Sequence, residues 1–462
     1  MTTKLATLWE KLRSSMWLLP TLLAAGASLL AAITLALDEK VIEPNVLLAG
    51  VAVYTGGPDG AREVLSIIAG SMIGIAGVTF SITIVAFSLG ATQLGPRLLR
   101  SFMRDTGNQL VLGTFIGTFI FCILVLRAVR GTDEVTFVPH LSVTVGVTLG
   151  IASLGVLIYF IHHVSWLIQA PNVVAAVAAE LEEAVARMFP EQIARGASVQ
   201  PAVPDFDGHG APIPARATGY LQAVDGERLL KTASRHGLAL RLMRRPGHFM
   251  IEGGVIAVAW PAGRITDGLR REVAGAFITG PQRTPTQDAE FAVGQLVEVA
   301  LRALSPGIND PYTAINCIDR LAAALARLAR REVPSPYRCD EAGNLRLVAD
   351  PLSYRSMVDA AFNQIRQAAG GQVAVIVRLL EAIALIGEHV HDNDFRQALA
   401  EQAGLIMEAS RASVAGERDR RDVAARYTAA MGALGARTPS GPLTVGADGS
   451  GSRPDGAWRC PA

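Results

Sequence analysis

Apolar residues in this chain gather into four long runs: Trp17 to Leu37, Val64 to Leu89, Leu110 to Leu126 and Leu141 to Ile168. A helix crossing a bilayer core needs about 20 predominantly apolar residues, with a working range of roughly 17–25. Each run therefore predicts a transmembrane helix, the third at the short limit and the fourth long enough to tilt or emerge. The first run has a basic start, but it is too long for the apolar core of a cleaved leader. It ends in Asp38-Glu39-Lys40 with no small-residue cleavage site beside it, so it predicts a retained span.

Past residue 169 the pattern changes to amphipathic stretches and short alternating runs. The fold class expected is an α-helical membrane protein with four transmembrane helices, followed by a cytoplasmic α+β domain holding a small β-α-β-β unit and a helical bundle. The divisions are a tail at 1–16, the spans at 17–169, a helix and Pro/Gly-rich linker at 170–216, a small α/β module at 217–285, a helical domain at 286–434 and a disordered Gly/Pro/Ser-rich tail at 435–462. In the module, Gly219 to Val224 and Ala239 to Arg244 predict strands around a helix at Gly226 to His236. Pro246-Gly247 marks a turn, and Phe249 to Glu252 and Val255 to Trp260 follow as strands about Gly253-Gly254.

Charge sets the orientation. Lys4, Lys11 and Arg13, with Arg97, Arg100 and Arg104, lie on one side of the spans. Lys40, Arg62, Arg127 and Arg130 lie on the other, among seven acidic residues that include Asp38, Glu43, Asp59 and Asp133. The bias toward Lys and Arg predicts both termini in the cytoplasm. A net charge of +1 gives no basis for nucleic-acid binding. Half the residues are apolar, and the mean hydropathy of +0.33 reflects the first 170 residues. The cysteines, Cys122, Cys317, Cys339 and Cys460, are scattered and support neither a disulfide framework nor a zinc site. That suits a soluble part in a reducing compartment.

None of the four runs contains Asp, Glu, Lys or Arg. Ion-coupled carriers usually keep an ionisable group inside the membrane, so this absence argues against one. In the second run Gly70, Gly74, Gly77, Ser81 and Ser88 form a continuous small-residue stripe. Such a stripe either lets another helix approach closely or lines a narrow polar pore. Gly113 with Gly117 and Gly146 with Gly150 repeat the small-residue spacing. His140, His162 and His163 stand at span ends and read as interfacial histidines. Gly95-Pro96 should end the second helix, and Arg97, Arg100 and Arg104 make the polar side of a short amphipathic helix at the membrane interface.

In the helical region, Ser305 to Asp310 joins two amphipathic helices, with Asp310 as an N-cap ahead of Pro311. The alternative is a polar site formed by Gln287, Asp288, Ser305, Asn309 and Asp310. Glu388 to Asp394 holds a His-x-His pair that reads as a solvated helix end rather than metal ligands. No nucleophile elbow, phosphate loop or zinc-hydrolase motif occurs. No catalytic residue, cofactor or metal is assigned, and the reading leans away from an enzyme.

Phe80-Ser81, Gln93 with Pro96-Arg97, Pro139-His140-Leu141, Phe160-Ile161-His162-His163 and the run Arg302 to Pro311 resemble the bacterial predicted membrane proteins grouped as domain of unknown function 2254. The resemblance spans Trp17 to Leu434, and Ser305-Pro306-Gly307-Ile308-Asn309-Asp310-Pro311 is its most specific part. Phe119-Ile120-Phe121-Cys122 departs from the aromatic pattern of that group, which bears on packing only. The resemblance implies a four-span protein of the bacterial inner membrane with a cytoplasmic domain, and it carries no activity to transfer. The function expected is a homo-oligomeric, channel-like conduit for ions with a cytoplasmic regulatory domain. The alternatives are a membrane-anchored sensor or scaffold that binds a small cytoplasmic ligand or a protein, and an enzyme at the bilayer surface.

Overall fold

Each of the four apolar runs forms one helix: α1 (Leu18–Lys40), α2 (Pro58–Leu94), α3 (Thr106–Ala128) and α4 (His140–Leu167). All four are long and apolar enough to cross a membrane. The computed structural model describes residues 17–40, 54–94, 105–132, 135–167, 169–189 and 202–435. The basic segment with Arg97, Arg100 and Arg104, the Gly95-Pro96 stop, the first sixteen residues and residues 436–462 lie outside these. The chain forms two units, residues 1–173 and 174–462.

In the first unit, α3 is the central helix, packed by α1, α2 and α4. Its 37 residues make α2 roughly 55 Å long at 1.5 Å per residue, far more than a bilayer core of about 30 Å. A feature absent from the hydropathy pattern joins α3 to α4. Arg130–Thr132 (β1) and Val135–Phe137 (β2) pair antiparallel, with Arg130 opposite Phe137.

The chain then continues as α5 (Ala170–Met188), with Pro171 in its first turn, where no backbone donor is needed. The second unit follows as α6 (Phe206–His209), β3 (Ala211–Pro214), β4 (Gly219–Val224), α7 (Gly226–His236), β5 (Ala239–Leu242), β6 (Phe249–Met250), β7 (Val255–Trp260), α8 (Asp267–Ala274) and β8 (Phe277–Gly280). Asp225 caps α7 through the Arg228 amide, and Gly237 ends it at φ 60°, a left-handed conformation that glycine adopts without strain.

The helical region is α9 (Ala289–Ala303), α10 (Pro311–Leu328), α11 (Tyr354–Ala368), α12 (Val373–Gly387), α13 (Asn393–Ser413) and α14 (Glu417–Ala433), interrupted by β9 (Tyr337–Cys339) and β10 (Leu345–Ala349). Strand order is β3-β7-β5-β10-β9 in one sheet and β6-β4-β8 in the other. Two expectations are corrected here. The Pro/Gly-rich linker contains β3, an edge strand whose Pro212 and Pro214 cost no central ladder bond. The region read as purely helical contributes β9 and β10, the latter pairing parallel with β5. Leu221, Leu229, Leu240, Ile256, Val273 and Phe277 form the core shared by the sheets and helices α7 and α8. Cys122 and Cys317 are free and buried, and burial pushes the Cys317 thiol up to about 12.

Candidate functional site

The glycines of the spans divide into two kinds by what a side chain would meet. On α3, a Cβ at Gly113 would sit 2.6 Å from Leu23 Cδ1 and 2.9 Å from Pro20 Cα, and one at Gly117 would sit 3.4 Å from Ala27 Cβ. A Cβ at Gly146 on α4 would lie 3.0 Å from Leu65 Cδ2. These positions are the close contacts of the bundle itself, where small residues let backbones approach.

The stripe on α2 differs. A Cβ at Gly70, Gly74 or Gly77 would meet nothing within 4 Å among the described residues, and Gly70, Gly74, Gly77, Ser81 and Ser88 are all exposed. The opposite face of α2, with Leu65, Ala69, Met72, Ala76 and Phe87, is the one buried against its neighbours. Thr79 and Thr83, off the stripe, are buried on that inner side. Ser81 donates its hydroxyl to Gly77 O at 3.0 Å, so its hydrogen-bonding demand is met within the helix. The seam between α3 and α4 is polar at one point, where the buried hydroxyls of Thr118 and Ser153 lie 3.1 Å apart.

Both ends of α4 are held by carboxylates from elsewhere in the chain. At its start, Asp38 accepts the amides of Leu141 and Ser142, each at 2.9 Å, and the Ser142 hydroxyl at 2.6 Å. An anion there satisfies orphan N–H groups and complements the helix dipole. His140 Nδ1 donates to Tyr54 O at 2.7 Å, and the Tyr54 amide donates to Thr144 Oγ1 at 2.9 Å. Asp38 was counted only as an acidic loop residue in the orientation argument. The available signal was negative: Pro139, immediately before α4, has no side chain able to cap it. Asp38→Ala is expected to lower the unfolding free energy of the protein in detergent by about 2 kcal/mol, measured by chemical denaturation. A loss no larger than that of Glu39→Ala, an exposed neighbour, would discount the cap.

At the other end of α4, His163 Nε2 lies 2.7 Å from Asp105 Oδ2. Asp105 also caps α3 by accepting the Asn108 amide at 2.9 Å. The Tyr159 ring stacks on the imidazole, with centroids 5.3 Å apart and planes 16° apart. Gly107 makes room for it, because a Cβ there would fall 2.6 Å from His163 Nε2. Of the three interfacial histidines, His140 and His163 thus tie helix ends together, and His162 is exposed.

The polar residues singled out in the second unit do not form one site. Gln287 and Asp288 precede α9 and Ser305, Asn309 and Asp310 follow it. Fifteen helical residues put the two groups roughly 20 Å apart. Gln287 pairs with the backbone of Val224, accepting its amide at 3.0 Å and donating to its carbonyl at 3.2 Å. Asp288 caps α9 and takes a two-pronged ion pair from Arg283 at 2.7 and 2.8 Å. Gly247, at φ 96°, closes on this pair, and a Cβ there would sit 2.4 Å from Asp288 Oδ2. Nearby, His248 is held below the ordinary imidazole range by burial and by the Arg245, Arg244 and Arg283 cations.

At the far end of α9, Asp310 caps α10 through the Thr313 amide at 3.1 Å. Asn309 adopts φ 50° and accepts Gln372 Nε2 at 2.8 Å. The Ser305 hydroxyl donates to Arg302 O at 2.6 Å. In the Glu388–Asp394 segment, Asp392 caps α13 by accepting the Phe395 amide at 2.9 Å.

The family model for predicted membrane proteins of domain of unknown function 2254 matches residues 13–385. An uncharacterized protein of Mycobacterium bovis is 31% identical over 452 residues, which cover 95% of this chain and 84% of that protein. An uncharacterized protein of Mycobacterium tuberculosis strain H37Rv matches at the same identity and over the same shares. No solved structure matches the chain. With four apolar helices leading into a mixed helical and sheet region, and with the family model covering most of its length, the chain belongs to the predicted membrane protein family of domain of unknown function 2254.

Proposed function

We propose that the protein is a homo-oligomeric, channel-like conduit of the bacterial inner membrane, with both termini and the second unit in the cytoplasm. The observation that carries this reading is the outward stripe of α2. A small-residue seam that meets no other element among the described residues, opposite the face α2 buries against its neighbours, fits contact with α2 of another copy around an axis. The glycine seams inside the unit are already filled, so intramolecular packing does not account for the stripe. Hydroxyls of Ser81 and Ser88 on that line would add polarity to an otherwise uncharged path, which suits passive passage of ions rather than a coupled carrier. The second unit then serves as an assembly platform or gate.

Two measurements on the full chain in liposomes test this together. Gly74→Cys is expected to cross-link copies under mild oxidation, while Ile151→Cys, exposed on α4, is expected not to. Liposomes holding the cross-linkable oligomer should pass ions under tension or voltage. Bilayers that stay silent while carrying correctly folded oligomer would remove the conduit and leave a tethered scaffold. Equal cross-linking at both positions would remove the specific assembly.

A further inference from the structure

Where β6 ends and β7 begins, the chain puts large apolar side chains into solvent. Strand alternation along β6, an edge strand, sends Met250 into the core and turns Phe249 to the other face. Phe249 is 53% exposed and Ile251, just past the strand, 67%. Beyond the turn at Gly253-Gly254, Val255 is exposed as well. So is Met243, whose amide donates to Ile256 O at 2.9 Å. Among the described residues of the second unit nine large apolar side chains are exposed, and these four fall within positions 243–255. Exposure scattered singly is ordinary, whereas a cluster marks a contact surface. The Phe249 ring is also held in place, meeting Tyr220 of β4 edge-on with centroids 5.1 Å apart.

Cations flank the cluster. The Gly253 amide donates to Ala215 O at 2.9 Å and the Ala215 amide to Gly254 O at 2.8 Å, which brings exposed Arg216 beside the turn. Arg244, also exposed, follows Met243, and its charge is felt at His248, the residue before Phe249. Neither guanidinium has an ion-pair partner among the described residues. Arg245 and Arg283 are matched by Glu290 and Asp288, and Glu252 is the one carboxylate on the turn itself. The surface is thus apolar with an excess of positive charge at its rim. A strand of two residues offers too little backbone for a partner to add a strand. A second copy meeting it patch to patch would bring the arginines of both copies together. A lipid surface supplies what both parts require, an apolar layer just beneath anionic phosphates. A chain anchored by four apolar helices holds such a surface at high local concentration.

We propose that this end of the second unit docks on an anionic lipid surface, with Phe249 and Ile251 at the boundary of headgroups and acyl chains and Arg216 and Arg244 on lipid phosphates. The contact needs no conduit, and it stands whether or not the spans pass ions.

The test is fluorescence of the full chain in nanodiscs, with an environment-sensitive probe on Ala217→Cys, exposed between β3 and β4, and spin-labelled lipid as the quencher. The parent chain treated with the same probe supplies the background. In nanodiscs containing phosphatidylglycerol the probe should be quenched severalfold more than one on Leu385→Cys, exposed on α12. Ile251→Ser should bring the quenching down to that control. Arg216→Gln with Arg244→Gln should weaken it severalfold, and so should exchanging phosphatidylglycerol for phosphatidylcholine, because each arginine at an anionic surface is worth about fivefold in the docking equilibrium. All three replacements are at exposed positions that leave the fold intact, which circular dichroism verifies. Equal quenching at the two probe positions, quenching unchanged by Ile251→Ser, or quenching indifferent to both the arginines and the lipid charge each overturns the docking. Shielding that rises with the number of copies per nanodisc and not with lipid charge assigns the surface to a second copy and overturns it as well.

Discussion

Gly113→Val is expected to destabilise the four-helix unit by about 3 kcal/mol, while Gly74→Val leaves its unfolding within a few tenths of a kcal/mol of the parent. Both glycines lie in apolar helices, and their sequence surroundings give no reason to treat them differently. The difference is what stands opposite. At Gly113 the new Cβ would meet Leu23 Cδ1 at 2.6 Å, which a rotamer change relieves, and Pro20 Cα at 2.9 Å, which it does not. Backbone yields only if α1 moves as a body, and α1 packs against α3 more extensively than any other pair of spans. At Gly74 the added methyls enter open space. Their effect falls on whatever covers α2 in the membrane, and cross-linking through a Gly70→Cys reporter on the same stripe should drop severalfold when Gly74→Val is added. Unfolding of the two variants in mixed micelles, followed by helicity, gives the first comparison, and the yield of cross-linked copies in bilayers gives the second. Equal destabilisation at both positions would mean the stripe is packed within the chain. Unchanged cross-linking in Gly74→Val would detach the stripe from assembly.

How far the chain could be read in advance follows from the range of the interactions involved. The spans declare themselves because a lipid-crossing helix satisfies its backbone internally and its apolarity is continuous. The run Trp17 to Leu37 became Leu18–Lys40, with only the polar end mis-set. β4, α7, β5 and β7 were legible from their own residue runs and from the Pro246-Gly247 and Gly253-Gly254 turn signals, all local. β10 was not. Leu347, Val348 and Ala349 of this strand pair in parallel with β5, about a hundred positions earlier, and no local pattern carries that information. β3 was hidden by its own prolines, which read as linker in sequence and as an edge in space.

The candidate site shows the same limit more sharply. Spacing revealed that Gly70, Gly74, Gly77, Ser81 and Ser88 share a face, but not which way that face turns. The histidines at the span ends were visible, whereas their carboxylate and carbonyl partners, Asp105 for His163 and Tyr54 for His140, come from 58 and 86 residues away. Asp38 reaches 103 residues forward to the Leu141 amide. Charge near a membrane was read as an orientation signal when its structural work was to close another helix.

Arg331→Met is expected to cost about 3 kcal/mol in the second unit and to free the last turn of α5. The side chain is buried, and its Nη1 donates to Phe189 O at 2.5 Å and to Ala186 O at 3.2 Å. These are carbonyls at the C-terminal end of α5, where four acceptors lack intrahelical partners and a cation is favoured by the dipole. The arginine is fixed in turn by its own backbone, whose carbonyl accepts the Tyr354 hydroxyl at 2.5 Å. Tyr354 stacks on Phe395 with ring centroids 4.7 Å apart and planes within 6°. Burial, with smaller contributions from Asp392 and Glu332, raises that phenol to about 12, so it remains a hydrogen-bond donor at any physiological pH. Methionine would keep most of the apolar stem and leave both carbonyls buried without donors, a loss of charged hydrogen bonds at roughly 1.5–3 kcal/mol each before partial solvation. Arg331→Lys should recover part of this, since an ammonium retains the charge without the fork. Hydrogen exchange of the full chain in nanodiscs gives the local readout. Amides near 185–189 should exchange tens of times faster in Arg331→Met, with Lys intermediate, while amides of α3 keep their rates. Because the chain passes from the spans to the second unit through α5, unchanged protection there would show that this helix is held by its apolar face alone, with Val174, Val177, Leu181 and Val185 sufficient.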